Sequence, residues 1–130
     1  MPQNKKEQIV KTHKQKTYDR GIWAEKYAAG YLVAKGYKIL EERYKTQYGE
    51  IDLIIQKGNV IAFVEVKSRR SIDEALESIT PKMRTRIGNA AQYYLSQNEE
   101  AIYCDLRFDV IAIKPPLFLA HLDNAWCLDA

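Results

Sequence analysis

The sequence predicts an α/β fold, a mixed central sheet flanked by helices in the order α-β-β-β-α-β. Three observations carry this. Gly58-Asn59 stands between two β-rich runs, the signal for a two-residue hairpin. Thr80-Pro81 opens a run with apolar residues at helical spacing. After that helix, "YCDLRFDVIAIK" reads as a further strand, stopped by Pro115 and Pro116.

Taken in order, residues 1–17 form a basic tail. Lys5, Lys6, Lys11, Lys14 and Lys16 against Glu7 give it +4, so the net +3 of the whole chain leaves −1 for residues 18–130, a single domain. The tail is lysine-rich and poor in aromatics, which predicts mobility. It serves equally as a solubilising extension or a phosphate-binding arm. A first helix is expected from Asp19 as N-cap to about Lys35, ending at Gly36. Trp23, Tyr27, Tyr31 and Ala34 supply one apolar stripe. Gly21, Glu25, Ala28 and Leu32 form a neighbouring stripe of small side chains, which lets the helix lie close to a sheet with Glu25 reaching across.

"YKILEERYKTQ" reads as a first strand, and about Glu50–Gln56 and Val60–Ser68 as the hairpin strands. A loop with Asp73, Glu74 and Glu77 follows, with room for a short helical turn. The second helix has Thr80 as N-cap and Pro81 at its first position, where the missing N–H costs nothing. Met83, Ile87, Ala90, Ala91, Tyr94 and Leu95 make its core face. "LFLAHLDNAWCLD" is too short to assign; a strand and a covering turn both fit.

The hairpin raises a chemical question. With Gly58-Asn59 as the loop, Lys57 faces Val60, Ile54 faces Phe63, Asp52 faces Glu65 and Glu50 faces Lys67. Ile51, Leu53, Ile55, Ala62, Val64 and Val66 then share one uncharged face. Glu50, Asp52, Glu65 and Lys67 share the other, beyond Ile54, Phe63 and Ile61. Directly opposed acids, with Cβ atoms about 5 Å apart, repel, so a shared proton, a bound cation or water must offset them. A hard divalent cation takes oxygen ligands, and Lys67 alongside can hold a water or a phosphate oxygen. These are the parts of a metal site for phosphodiester hydrolysis. The same alternation also suits a half-buried edge hairpin in which Lys67 merely pairs with Glu50.

Lys82, Arg84 and Arg86 crowd the positive end of the second helix, a conflict that a bound phosphate relieves. Lys82, Arg86, Asn89 and Tyr93 fall on one stripe, and Ser68, Arg69 and Arg70 leave the hairpin beside the acids. Such contacts position a duplex without reading its sequence. A solvated basic face is the bland alternative. His121 suits hydrogen bonding better than catalysis, and Arg107 with Asp109 a structural ion pair. Trp23, Trp126 and the tyrosines are expected to pack rather than to stack on bases.

No apolar run is long enough to span a bilayer, and the N-terminus has no apolar stretch of a secretory signal. Cys104 and Cys127 match no metal-ligand spacing; a disulfide between them stays open. A reduced, cytoplasmic setting is the default expectation.

"GEIDLI" followed by "FVEVKSRR" resembles the YraN-like proteins of bacteria, a branch of the PD-(D/E)XK nuclease superfamily related to archaeal Holliday-junction resolvases. The likeness extends to "GIWAEKYAAGYLVAKGYKIL", the Arg43 region, "PKMRTRI", "RFDVIAI" and "HLDNAW", nearly everything after the tail. It implies a restriction-endonuclease-like core and a Mg²⁺-dependent (or Mn²⁺-dependent) endonuclease acting on DNA, branched, double-stranded or damaged. By the resemblance Asp52 and Glu65 bind the metal with the Val66 carbonyl, Lys67 positions or activates the attacking water and Glu25 completes the site; the hairpin register adds Glu50 as a candidate auxiliary acid. Arg69, Arg70, Lys82, Arg84 and Arg86 would contact nucleic acid, and a homodimer would match a two-fold substrate. The chain departs from the pattern at Ala24, at Glu42 and in a shorter Arg70–Thr80 loop. A non-catalytic module binding nucleic acid or a partner protein is the rival reading, since fold does not fix function.

Overall fold

The computed structural model describes residues 12–127. The chain runs α1 (His13–Ala34), β1 (Lys38–Lys45), β2 (Glu50–Lys57), β3 (Val60–Ser68), α2 (Ile72–Ser78), α3 (Pro81–Gln97), a 3₁₀ turn (Glu99–Tyr103), β4 (Asp105–Lys114) and β5 (Phe118–Trp126). The expected α-β-β-β-α-β order is there, with α2 and β5 added to it. The sheet order is β1-β2-β3-β4-β5. Only β3 and β4 are parallel; the other pairs are antiparallel, so the sheet is mixed.

The first helix starts earlier than expected. Thr12, not Asp19, caps it: the Thr12 hydroxyl accepts the Gln15 N–H at 3.1 Å and the Gln15 side chain accepts the Thr12 N–H at 3.0 Å. This reciprocal box makes residues 13–17 helical rather than part of a tail. Residues 1–11, the rest of the predicted tail, lie outside the described residues.

The sheet is covered on both faces. On one side α1 buries Ala24, Ala28 and Leu32 against Leu53, Ile55, Ala62, Val64, Ile111 and Ile113. The small stripe, not the aromatic one, faces the sheet. Trp23 is 42% exposed and stacks on Tyr27 with ring centroids 5.3 Å apart. On the other side α3 buries Ile87, Ala90, Ala91 and Tyr94 against Ile54, Phe63, Phe108 and Val110.

The hairpin keeps the predicted register from Lys57↔Val60 to Leu53↔Val64, with a positive φ of 59° at Gly58. The ladder stops there. Ile51 was expected beside Leu53 and Ile55, yet it packs with Ile54 under α3. Two-residue alternation is lost at Asp52, where β2 stops pairing with β3 but still pairs with β1 through Tyr44↔Ile51 and Lys45↔Glu50.

β5 closes the far side through a buried charge. Asp109, fully buried, accepts Arg107 Nε and Nη2 at 2.9 and 2.8 Å and the Asn124 N–H at 3.0 Å, and lies 2.9 Å from His121 Nε2. Arg107 also donates to the Tyr37 hydroxyl at 2.8 Å. Burial raises the Asp109 pKa, but His121, Arg107 and the Asn124 N–H outweigh it and hold the group below its ordinary value. His121 and the Arg107–Asp109 pair thus have the structural part their sequence context suggested. Cys104 and Cys127 are free thiols.

Candidate active site

Where β2 and β3 part, a hollow of about 540 Å³ opens between the α1 layer and the α3 layer. Glu25 from α1, Glu50 and Asp52 from β2, Glu65, Val66, Lys67 and Ser68 from β3, and Arg86 from α3 all line it. The side chains that the register argument placed together do converge.

Their environments differ. Asp52 reaches sideways: its Oδ2 accepts the Val66 N–H at 2.8 Å, a donor that a continued ladder would give to a β2 carbonyl. Glu65 is 6% exposed, and its Oε1 is buried with no hydrogen-bond partner among the described residues. Such an orphaned acceptor is rare in a folded interior. Burial first, and the Asp52 charge second, push the Glu65 pKa well above the ordinary carboxylate range; Lys67 and the Asp52 backbone N–H pull it only partly back. Burial also raises Asp52, with the Val66 N–H, Lys67 and Arg43 opposing.

Glu25 is pushed up to about 7, by burial and then by the Asp52 charge, against the Arg43 guanidinium that lowers it. Arg43 Nη1 lies 3.5 Å from Glu25 Oε1 and its guanidinium sits over the Tyr18 ring at 5.2 Å. Arg43 reaches inward from a left-handed backbone, φ 51°, three residues after the β1 irregularity at Leu40. Nothing in the residue type signals that conformation. Among the described residues no three His, Cys, Asp or Glu side chains come close enough to share one metal ion. Glu25 therefore faces the Asp52–Glu65 pair without joining it.

Glu50 is half-detached: it lines the hollow but pairs with Lys45 at 3.9 Å across the β1–β2 ladder. The pairing with Lys67 considered from sequence does not form.

The basic residues disperse. Arg86 lines the hollow, and Lys82 is exposed on the first turn of α3. Arg84 turns to the other side, its guanidinium 5.4 Å from the Trp126 ring centre and its Nε buried without a partner among the described residues. Two positions along a helix is more than half a turn, so Arg84 was always off the Lys82–Arg86 stripe. Arg69 donates to the Ser68 carbonyl at 2.9 Å. Arg70 pairs with Glu74 at 3.0 Å and borders a different hollow with Pro115, Pro116 and Phe118.

Comparison with known proteins follows the same residues. The family model for the uncharacterised protein family UPF0102 matches residues 24–113. A UPF0102 protein of Rhodopseudomonas palustris (strain BisB18) is 46% identical over 106 residues, covering 82% of this chain and 78% of the relative. One from Bradyrhizobium diazoefficiens is 48% identical over 102 residues, 78% and 77% of the two chains. One from Nitrobacter winogradskyi is 45% identical over 109 residues, 84% and 92%. The chain belongs to the uncharacterised protein family UPF0102, the YraN-like family that its hairpin motifs resemble.

Proposed function

We propose that this protein is a metal-dependent endonuclease that hydrolyses phosphodiester bonds in DNA, branched or damaged DNA in particular. The observation that carries the reading is the Glu65 carboxylate, buried with an unpartnered oxygen beside a second acid. A structural carboxylate would be paired, as Asp109 is.

The residues fit a small hard cation. Asp52 and Glu65 offer carboxylate oxygens. In an extended strand a residue's N–H and C=O point the same way, so the Val66 carbonyl faces the gap that its N–H faces. Mg²⁺ typically takes one or two carboxylates and fills its shell with water and phosphate oxygens, so two acids suffice. A divalent cation held there supplies Lewis acidity toward a phosphate oxygen and acidifies a bound water.

The chain's own groups do the rest. Lys67, with no ion-pair partner within 4 Å among the described residues, can orient the attacking water through its ammonium. Arg86 faces the same hollow and can neutralise phosphate charge. Glu25, anchored by Arg43, offers a further acceptor for a water. In the reaction the water oxygen bonds to phosphorus, the bond to the leaving sugar oxygen breaks, and the water's proton ends on that oxygen.

The test is cleavage of linear, circular and branched DNA by the purified full-length protein in Mg²⁺ or Mn²⁺. Asp52→Ala and Lys67→Ala should lose activity by at least about a hundredfold. Variants that cut as well as wild type would show that the hollow is not the site. Mass in solution, with and without a four-way junction, tests the two-fold dimer that a junction substrate would match. The net −1 of residues 18–130 favours the rival, a non-catalytic binding module. Calorimetry decides against the nuclease if neither cation binds, even with DNA present.

A further inference from the structure

A second surface adjoins the acidic hollow, and no step above uses it. Tyr48 and Tyr93 are 46% and 39% exposed, and their ring centroids lie 5.9 Å apart with planes inclined by 50°. They border a depression of about 420 Å³ whose other walls are Asn89, Gln92 and Ser96. Neither ring belongs to a core cluster, so the fold closes without them.

The two rings are held in place. The Thr46 hydroxyl accepts the N–H groups of Tyr48 and Gly49, both at 3.0 Å, and the Thr46 N–H donates to the Gly49 carbonyl at 2.9 Å. This turn sits directly on α3, where a Cβ at Gly49 would fall 2.8 Å from the Arg86 carbonyl oxygen. Along α3, Arg86, Asn89 and Tyr93 follow one another over about 10 Å. Thr46, Gly49 and Arg86 line the acidic hollow, while their neighbours Tyr48 and Asn89 line the depression. The two are continuous.

We infer that the Tyr48–Tyr93 depression receives unpaired bases of a DNA strand whose backbone follows α3 into the acidic hollow. This departs from the packing role expected for the tyrosines. Ring faces stack on any base, and each stacked base is worth about 1–3 kcal/mol. Asn89 and Gln92 present amides to base edges. Arg86, between the depression and the acids, meets the intervening phosphate. A continuous duplex covers its base faces with neighbouring bases and cannot use the rings. The substrate class is therefore DNA with a single-stranded segment: a flap, a gap or an opened branch. The inference deepens the nuclease reading and rests on it for the fate of the strand, but the binding needs no metal.

The test separates the two. A fluorescein-labelled oligothymidylate, and the same strand paired with its complement, are titrated with full-length protein in EDTA while anisotropy is read. Wild type should prefer the unpaired strand. Tyr48→Ala and Tyr93→Ala should each weaken that binding about tenfold and leave duplex binding little changed. Tyr48→Phe and Tyr93→Phe keep the ring and should bind as wild type. Equal affinity for both probes overturns the inference. So does an undiminished grip on the single strand in the alanine variants, or an equal loss on both probes. Because no metal is present, inactive protein that still shows the preference would sink only the nuclease reading.

Discussion

The Asp52 carboxylate accepts the Val66 backbone N–H at 2.8 Å and so stands where the next rung of the β2–β3 ladder would be. One side chain thus ends the pairing of two strands and faces the hollow that their parting creates.

Asparagine at this position keeps an acceptor for Val66; alanine does not. Asp52→Ala should be less stable than Asp52→Asn by about 1–3 kcal/mol, the usual cost of an unsatisfied buried donor. Urea unfolding of the two variants measures it. Equal stability would mean that the bond to Val66 contributes nothing.

Buried, like-charged acids should make the metal-free protein respond strongly to a divalent cation. Mg²⁺ or Mn²⁺ at a hundredfold excess over its Kd should add about 2.7 kcal/mol to wild-type stability. Glu65→Gln should lose most of that increment, yet be more stable than wild type without metal at alkaline pH, because the Glu65 charge no longer has to be desolvated beside Asp52. Thermal scans with and without the cation check both halves.

Glu25 predicts a pH dependence of defined sign. Its ordinary value of 4.5 describes the unfolded chain, and about 7 the folded one. Between these values the folded protein holds the extra proton. The stability this contributes is full below about pH 4.5 and is lost as the pH rises through about 7. Metal-free Glu25→Gln should therefore melt about 2–4 °C above wild type near pH 8 and level with it near pH 4. A difference of the same size at both ends would assign the effect to packing.

Two glycines should respond oppositely to alanine. At Gly30, inside α1 about one turn before its C-terminal end, an added Cβ meets nothing within 4 Å, and the change should stabilise by about 1 kcal/mol. At Gly49 the same Cβ would lie 2.8 Å from the Arg86 carbonyl and 3.2 Å from the Arg86 Cβ. Gly49→Ala should destabilise by about 1–3 kcal/mol through the forced shift of the turn off α3. Chemical denaturation of the pair compares them directly.

Much of this was legible in the chain. Gly58-Asn59 set the register that brings Asp52 and Glu65 to one hollow, and Thr80-Pro81 marked α3 at the residue where it starts. Local rules hold there because turn, pattern and cap agree. They failed where tertiary partners decide. β5 is mixed in polarity; it forms because β4 offers an edge and Asp109 binds its His121 and Asn124. Ile51 crossed to the other face because Asp52 interrupts the ladder beside it. The Thr12–Gln15 box was readable but lay inside a lysine-rich stretch. Arg43 gave no sign of its positive φ, since arginine has no preference for that conformation.

β1 is an outer strand of the sheet, and outer strands invite other chains to add to them. The left-handed residue at 43 and the extra residue at Leu40 break the regular row of outward amides and carbonyls there. Lysines at 38 and 45 stand at its two ends. The irregularity that lets one guanidinium reach an acid across the protein also spoils this rim as a template, guarding the protein against edge-to-edge aggregation.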